Sequence, residues 1–165
     1  MFQLKRLSQS GIPSAMAKAE RYRLLNQPWA AESICLDVLE LDPANQEALV
    51  LLLLCLTDQF DKAPGPGLLR AREVLARLKD PYQRTYYAGV TCERRAKAQL
   101  ALGAPGSEGA AYDWFREAMG WYEKAEAIRP AGNDDALLRW NACARIITGN
   151  KLVPRPKESF EPSLE

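Results

Sequence analysis

Apolar residues recur along this chain at the spacing of helical faces, and helix-breaking residues separate the segments. In AMGWYEKAEAIRP, residues 118–130, Ala118, Tyr122 and Ala125 stand at offsets of 0, 4 and 7. These offsets place the three side chains on one face of an α-helix, which turns once in about 3.6 residues. Pro130, at offset 12, marks the end of the segment, because proline cannot continue a helix. The pattern predicts a helix whose small residues allow a second helix to approach closely.

The same spacing occurs nearer the start of the chain. In AAESICLDVLELDPANQ, Ala31, Cys35, Val38 and Pro43 have the offsets 0, 4, 7 and 12. Upstream, SAMAKAERYRLLNQPW predicts another helix, which ends near residues 26–28. The chain is therefore expected to contain pairs of helices that repeat.

This pair of helices resembles the tetratricopeptide repeat, a helix-turn-helix unit of about 34 residues. Four residues match positions of that repeat: Ala19, Tyr22, Ala31 and Pro43. The segment LELDPANQEAL is similar to the usual junction between units, whereas Ala15 stands where a tryptophan is common and Val38 where an alanine is usual.

The resemblance extends over residues 12–149 and implies an all-α fold, a tetratricopeptide-like α-solenoid of about three helix-turn-helix repeats with a C-terminal capping helix. The alternative fold is an unrelated helical bundle. The implied boundaries are an N-terminal tail at 1–11, repeats at 12–45, 46–81 and 82–132, a capping helix at 133–149, and a proline-rich extended tail at 150–165. The segments DKAPGPG, residues 61–67, and APGSEG, residues 104–109, are predicted to be non-helical turns between helices.

The composition narrows the classes of function. The 165 residues are 47% hydrophobic and 26% charged, which is typical of a globular protein, and the net charge of +1 argues against a nucleic-acid or anionic-membrane binder. The chain has no histidine, the commonest general base and metal ligand. Its four cysteines are widely spaced without a Cys-x-x-Cys pair, so we expect buried thiols, no metal site and no cofactor.

We expect a cytoplasmic protein without a membrane partner. The N-terminal stretch MFQLKRLSQSGIP has no apolar run typical of a signal peptide. The most apolar run, ALVLLLLCL at 48–56, is shorter than the roughly 20 residues that a membrane span requires.

The resemblance also implies a binding surface, because the first helices of such repeats line a concave face that binds peptides or helices. Ten partner-binding residues are expected on that face: Glu20, Arg23, Glu47, Val50, Leu54, Asp58, Glu93, Lys97, Asn141 and Arg145. The run ALVLLLLCL is apolar around the whole helix, which leaves two interpretations open. Either neighbouring helices cover it on every side, or Val50 and Leu54 face a bound peptide.

The residues argue against one binding mode of this family. That mode uses a clamp of Lys, Arg and Asn to hold a C-terminal carboxylate. Met16, Glu20 and Leu51 stand at the corresponding positions of this chain, so the clamp is missing.

Three other segments have two interpretations each. The basic run ERRAKAQ, residues 93–99, is either a solvated helix face or a surface for an acidic partner. Trp114, Phe115, Trp121 and Tyr122 are core residues, although Trp121 and Tyr122 cannot both face inward and one of them is a candidate interface residue. The tail KLVPRPKESFEPSLE should be extended, and either mobile or docked with Phe160 as its anchor.

The sequence therefore predicts a non-catalytic adaptor or scaffold that binds a partner protein or peptide segment. Asp134 and Asp135 stand at a helix start, where capping explains them, and no glycine-rich phosphate loop follows a strand, so an enzyme is disfavoured. The alternative is a dedicated chaperone or assembly factor, or a small structural subunit of a larger bacterial complex. A homo-oligomer stays open, and the near-neutral charge disfavours an RNA-binding helical repeat.

Overall fold

The computed structural model describes residues 1–62 and 64–156, and every regular element in these ranges is helical. A short 3-10 helix at Gln9–Gly11 is followed by α1 (Ile12–Leu24), α2 (Pro28–Leu41), α3 (Gln46–Thr57), α4 (Pro64–Arg77), α5 (Pro81–Leu102), α6 (Ser107–Ala127) and α7 (Asp135–Gly149). The all-α class predicted from the sequence is confirmed for this part of the chain.

Local signals explain where several helices begin and end. The side chain of Asn45 accepts a backbone hydrogen bond at the start of α3, and that of Asp80 accepts one at the start of α5. Pro28 and Pro81 occupy first-turn positions, where their missing N–H is not needed. α5 ends at Gly103, whose φ of +62° lies in the left-handed region that glycine adopts without strain.

Both turns predicted between helices are shorter than expected. The prediction that residues 61–67 are non-helical is wrong from Pro64 onwards, where α4 begins. In the same way, α6 begins at Ser107, inside the segment 104–109. Proline and glycine are tolerated there because the first N–H groups of a helix have no intrahelical acceptor to lose.

The helices pack mainly on their neighbours in the sequence. α5 and α6 pack along most of their lengths, whereas α4 makes a much sparser contact with α5. Direct contacts also join α1 to α3 and α3 to α5. These odd-numbered helices therefore lie side by side.

Two clusters of buried side chains form the core. The first core comes from α1–α4 and contains Leu49, Leu53 and Phe60 among its fully buried members. The second comes from α5–α7 and contains Phe115 and Tyr122. Half-buried side chains such as Tyr87 pack against both clusters and join them.

Gly89 lets the ring of Tyr122 lie directly against the backbone of α5. A Cβ atom at this position would stand 2.6 Å from Cε1 and 2.7 Å from Cδ1 of Tyr122. Tyr122 is completely buried, so its ring has no open space into which to move. The close approach brings the tyrosine hydroxyl to Glu93, one turn further along α5.

We expect Gly89→Ala to lower the free energy of unfolding by about 2 kcal/mol, because the added methyl group overpacks the contact with Tyr122. Gly120→Ala is the matched control, since Gly120 also lies inside a helix but a Cβ there meets nothing within 4 Å. The control should raise stability by about 0.5 kcal/mol. Urea unfolding followed by circular dichroism measures both changes, and equal effects at the two glycines would refute this account of Gly89.

Candidate functional site

A groove lies between α1 and α3 and reaches the start of α5; we refer to it as the α1–α3 groove. It encloses about 350 Å³. Half of the ten partner-binding residues predicted from the sequence line it: Glu20, Arg23, Glu47, Val50 and Leu54. The groove is thus formed by the first helices of the first two predicted repeats.

The floor of the α1–α3 groove is the one open part of an otherwise buried helix segment. Within residues 48–56 of α3, only Val50 and Leu54 are half-buried, and all the others are buried. Leu24 of α1 lines the same groove and is 77% exposed. Neighbouring helices therefore cover most of α3, while its two remaining apolar positions face the groove.

Acidic side chains stand at the rim of the α1–α3 groove. Glu20 and Glu47 are exposed, and neither forms an ion pair with any residue in the described ranges. Arg23 does not neutralise them, because it forms an ion pair with Asp58, to whose Oδ2 its Nε donates at 2.7 Å. Asp58 also accepts a hydrogen bond from Arg94 of α5. One carboxylate at the end of α3 thereby joins α1 and α5, and the charge that the groove offers to a ligand is negative.

Glu93 lies in the interior and lines none of the cavities described here. It is 1% exposed and joins three helices. The hydroxyl of Tyr122 on α6 donates to it at 2.5 Å, Nζ of Lys97 on α5 donates at 2.6 Å, and Nη1 of Arg139 on α7 donates at 3.2 Å. Both of its carboxylate oxygens therefore accept hydrogen bonds from residues of this chain.

These partners keep Glu93 ionised. Burial by itself raises the pKa of the Glu93 carboxyl, but hydrogen bonds from Lys97 and Tyr122 and the positive charges of Lys97 and Arg139 outweigh burial, so its pKa lies below the ordinary value of 4.5. Burial, and then the negative charge of Glu93, raise the pKa of Tyr122. A charged carboxylate and a neutral phenol therefore face each other throughout the neutral pH range.

The other predicted partner-binding residues do not line the α1–α3 groove. Lys97 and Asp58 line a cavity of about 210 Å³ between the end of α3 and α5. On α7, Asn141 is half-buried and Arg145 is exposed. Phe160 lies outside the described residues. The structure thus brings together in the groove five of the six predicted residues of the first two repeats, with Asp58 bonded to Arg23, but not those of α5 and α7.

A larger cavity was not predicted. It lies between α4 and α6, with α5 as its floor, and encloses about 450 Å³; we refer to it as the α4–α6 cleft. Its walls include Leu68 and Leu75 of α4 and Trp114 and Trp121 of α6, and Ala88 forms part of its floor. The contact between α4 and α5 beside it is sparse.

The sequence contained one signal for this cleft. Trp114 and Trp121 are seven residues apart, which places them on one face of α6. Phe115 and Tyr122 follow them by one position each and are fully buried in the second core. The aromatic cluster is therefore divided between a core face and a half-buried face in the cleft.

The chain after α7 folds back over α6. Leu152 is buried in the second core, and Nε of Arg155 donates to Oδ2 of Asp113 at 2.6 Å. The backbone of Arg155 passes close to Gly109. A Cβ atom on Gly109 would stand 3.4 Å from the Cα atom of Arg155. The tail is thus docked on α6 as far as residue 156.

Within residues 1–62 and 64–156, the cysteines Cys35, Cys55, Cys92 and Cys143 are free and buried. The same ranges contain no cluster of three or more His, Cys, Asp or Glu side chains that could hold a metal ion. Of the described helices, none combines the length and apolarity that crossing a membrane requires. No protein-family model, curated protein or solved structure matches this chain.

We expect Glu93→Gln to lower the free energy of unfolding by about 2 kcal/mol at pH 7, below the usual cost of breaking a buried ion pair because Lys97 and Arg139 are partly exposed. A carboxyl whose pKa is lowered by folding stabilises the fold above its unfolded pKa and loses that effect as pH falls through the folded value. The difference between wild type and variant should therefore shrink below about pH 4.

Urea unfolding between about pH 7 and about pH 3 measures this difference. Glu126→Gln is the control, because Glu126 forms a surface pair with Arg129, and such pairs contribute about 0–1 kcal/mol. A Glu93→Gln effect that does not change with pH would show that the charge of Glu93 is not what stabilises this region.

Proposed function

We propose that this chain is a non-catalytic adaptor whose α1–α3 groove binds a segment of a partner protein. The observation that carries the proposal is the floor of that groove, where Val50 and Leu54 are the only half-buried positions of residues 48–56 of α3. Apolar side chains at the base of an open groove are typical of binding surfaces.

The packing order supports a tetratricopeptide-like array as the scaffold. In such an array each unit contributes a first and a second helix, and the first helices lie side by side along the concave face. Here α1, α3 and α5 are in contact with one another in series, and α2 and α4 follow α1 and α3 as second helices. α7 packs on α6 in the position of a capping helix. In this arrangement the α1–α3 groove belongs to the concave face.

The groove suits a segment that carries apolar side chains next to cationic ones. An aliphatic or aromatic side chain of the ligand that packs on Val50 and Leu54 is removed from water. Full burial of such a side chain contributes about 1.5–3 kcal/mol to the binding free energy. Glu20 and Glu47 have no cationic partner among the described residues. A lysine or arginine of the ligand would meet these carboxylates at the rim, where charges chiefly determine specificity and association rate.

A selection from a random peptide display library on the native protein tests this proposal. Enriched peptides should bind wild type and lose at least about tenfold in affinity for Leu54→Asp, because a carboxylate on the groove floor repels an apolar anchor. Leu24→Asp, a change at an exposed position of the same groove, should weaken binding without affecting the core.

The matched control is Leu102→Asp, the same substitution at a leucine that is 64% exposed at the end of α5 and lines no part of the groove. Isothermal titration calorimetry gives the dissociation constants, and circular dichroism verifies the helix content of every variant. The proposal fails if no peptide is enriched, or if the enriched peptides bind Leu24→Asp and Leu102→Asp equally well.

A further inference from the structure

The described chain ends beside the α4–α6 cleft. Arg155 is fixed to Asp113 on the outer face of α6. Glu117 follows Asp113 by one helical turn and lines the cleft. The Arg155 backbone lies beside Gly109, five residues before Trp114, so residue 156 leaves the described structure about one and a half turns of α6 from the nearer tryptophan of the cleft. The segment KESFEPSLE, residues 157–165, continues from that point.

The cleft presents an apolar surface that the described residues leave uncovered. Trp114 and Trp121 are half-buried, and their partly exposed faces line the cavity opposite Leu68 and Leu75. Tryptophan in such a position combines a large apolar surface with a polar N–H, which is typical of binding surfaces. The cavity can therefore take an aromatic or aliphatic side chain.

The segment that follows residue 156 is long enough to reach this surface. An extended chain advances by about 3.3 Å per residue, so Phe160, four residues after Pro156, can lie about 13 Å from it. Trp114 and Trp121 are seven residues apart on α6, which corresponds to about 10 Å along the helix. Phe160 can therefore reach the wall formed by the two tryptophans.

The charges of the cleft and of the segment are complementary. Arg72 and Arg84 line the cleft and are exposed, and no carboxylate in the described ranges pairs with either. Glu117 is the single acidic residue of the lining, so the cleft is positive overall. Residues 157–165 are negative overall, with one lysine and three glutamates.

We propose that residues 157–165 of this chain dock in the α4–α6 cleft, with the ring of Phe160 against Trp114 and Trp121. Glu158 and Glu161 then face the two arginines of the rim. Docking covers the apolar cavity and connects α4 to α6, which compensates for the sparse contact between α4 and α5. The docked segment is separate from the α1–α3 groove, so it leaves the proposed partner site open.

Disulfide trapping in the full chain tests this docking. The variant carries Ala76→Cys, at an exposed position in the cleft wall, together with Ser159→Cys, beside Phe160. A disulfide requires the two Cα atoms to approach within about 7 Å. Cys92 lines the cleft, so it is replaced by alanine in both pairs, whereas Cys35, Cys55 and Cys143 are fully buried and should not compete under mild oxidation. We expect an intramolecular disulfide that forms at least about tenfold faster than in the control pair, because docking raises the effective concentration of one thiol at the other.

The control pair combines Ser159→Cys with Glu73→Cys, an exposed position on the same helix that does not line the cleft. Adding Phe160→Ala to the first pair should slow disulfide formation to the rate of the control. Equal rates for the two pairs, or no disulfide, would overturn the proposal. A disulfide-linked dimer without the intramolecular product would also overturn it, since the cleft would then hold the tail of a second copy.

Nuclear magnetic resonance of the tryptophan indole N–H groups gives an independent measurement on the full chain. Phe160→Ala should shift the resonances of Trp114 and Trp121, because an aromatic ring is removed from beside them. The resonances of Trp29, exposed on α2, and of Trp140, bonded to Glu123, should stay unchanged. Unchanged resonances for all four tryptophans would contradict docking of Phe160 in the cleft.

Discussion

A buried carboxylate in a helical protein requires partners from every side, and Glu93 finds them on three helices. Tyr122 reaches it from α6, Arg139 from α7 and Lys97 from the next turn of α5. Leaving such a charge buried without partners costs several kcal/mol, so α5, α6 and α7 can pack only in an arrangement that brings these donors together. Gly89 belongs to the same constraint, because the ring of Tyr122 crosses α5 where the helix has no Cβ.

This arrangement determines where the two open surfaces lie. With Tyr122 directed at Glu93, the adjacent face of α6 carries Trp114 and Trp121 into the α4–α6 cleft. Nearer the first core, Asp58 at the end of α3 pairs with arginines of α1 and α5. These pairs hold the odd-numbered helices side by side and leave Val50 and Leu54 facing the α1–α3 groove. Both surfaces are therefore consequences of how polar side chains join the helices.

The helices could be predicted from the sequence because their signals are local. The caps at Asn45 and Asp80 and the glycine at position 103 act within one turn, and the spacing of Ala118, Tyr122 and Ala125 identifies a buried face without knowledge of its partner. The contacts of Glu93 could not be predicted in this way. Lys97 four residues on is typical of a solvated ion pair, whereas Tyr122 and Arg139 lie 29 and 46 residues away. The cleft was not predicted either, because it depends on how sparsely α4 packs on α5, which no local signal specifies.

Each of the two cores contains native cysteines, which can serve as probes of local unfolding. Cys35 and Cys55 belong to the first core, and Cys92 and Cys143 to the second. Burial raises the pKa of Cys92 and of Cys143 to about 12, so their reactive thiolate forms are scarce while the helices around them stay packed. Cys92 lines the α4–α6 cleft and is reached from there, whereas alkylation of Cys35, Cys55 or Cys143, each 0% exposed, requires the surrounding helices to separate. The labelling rates of Cys35 and Cys55 on one side and of Cys143 on the other report the opening free energy of each half of the molecule separately, without any substitution in the chain.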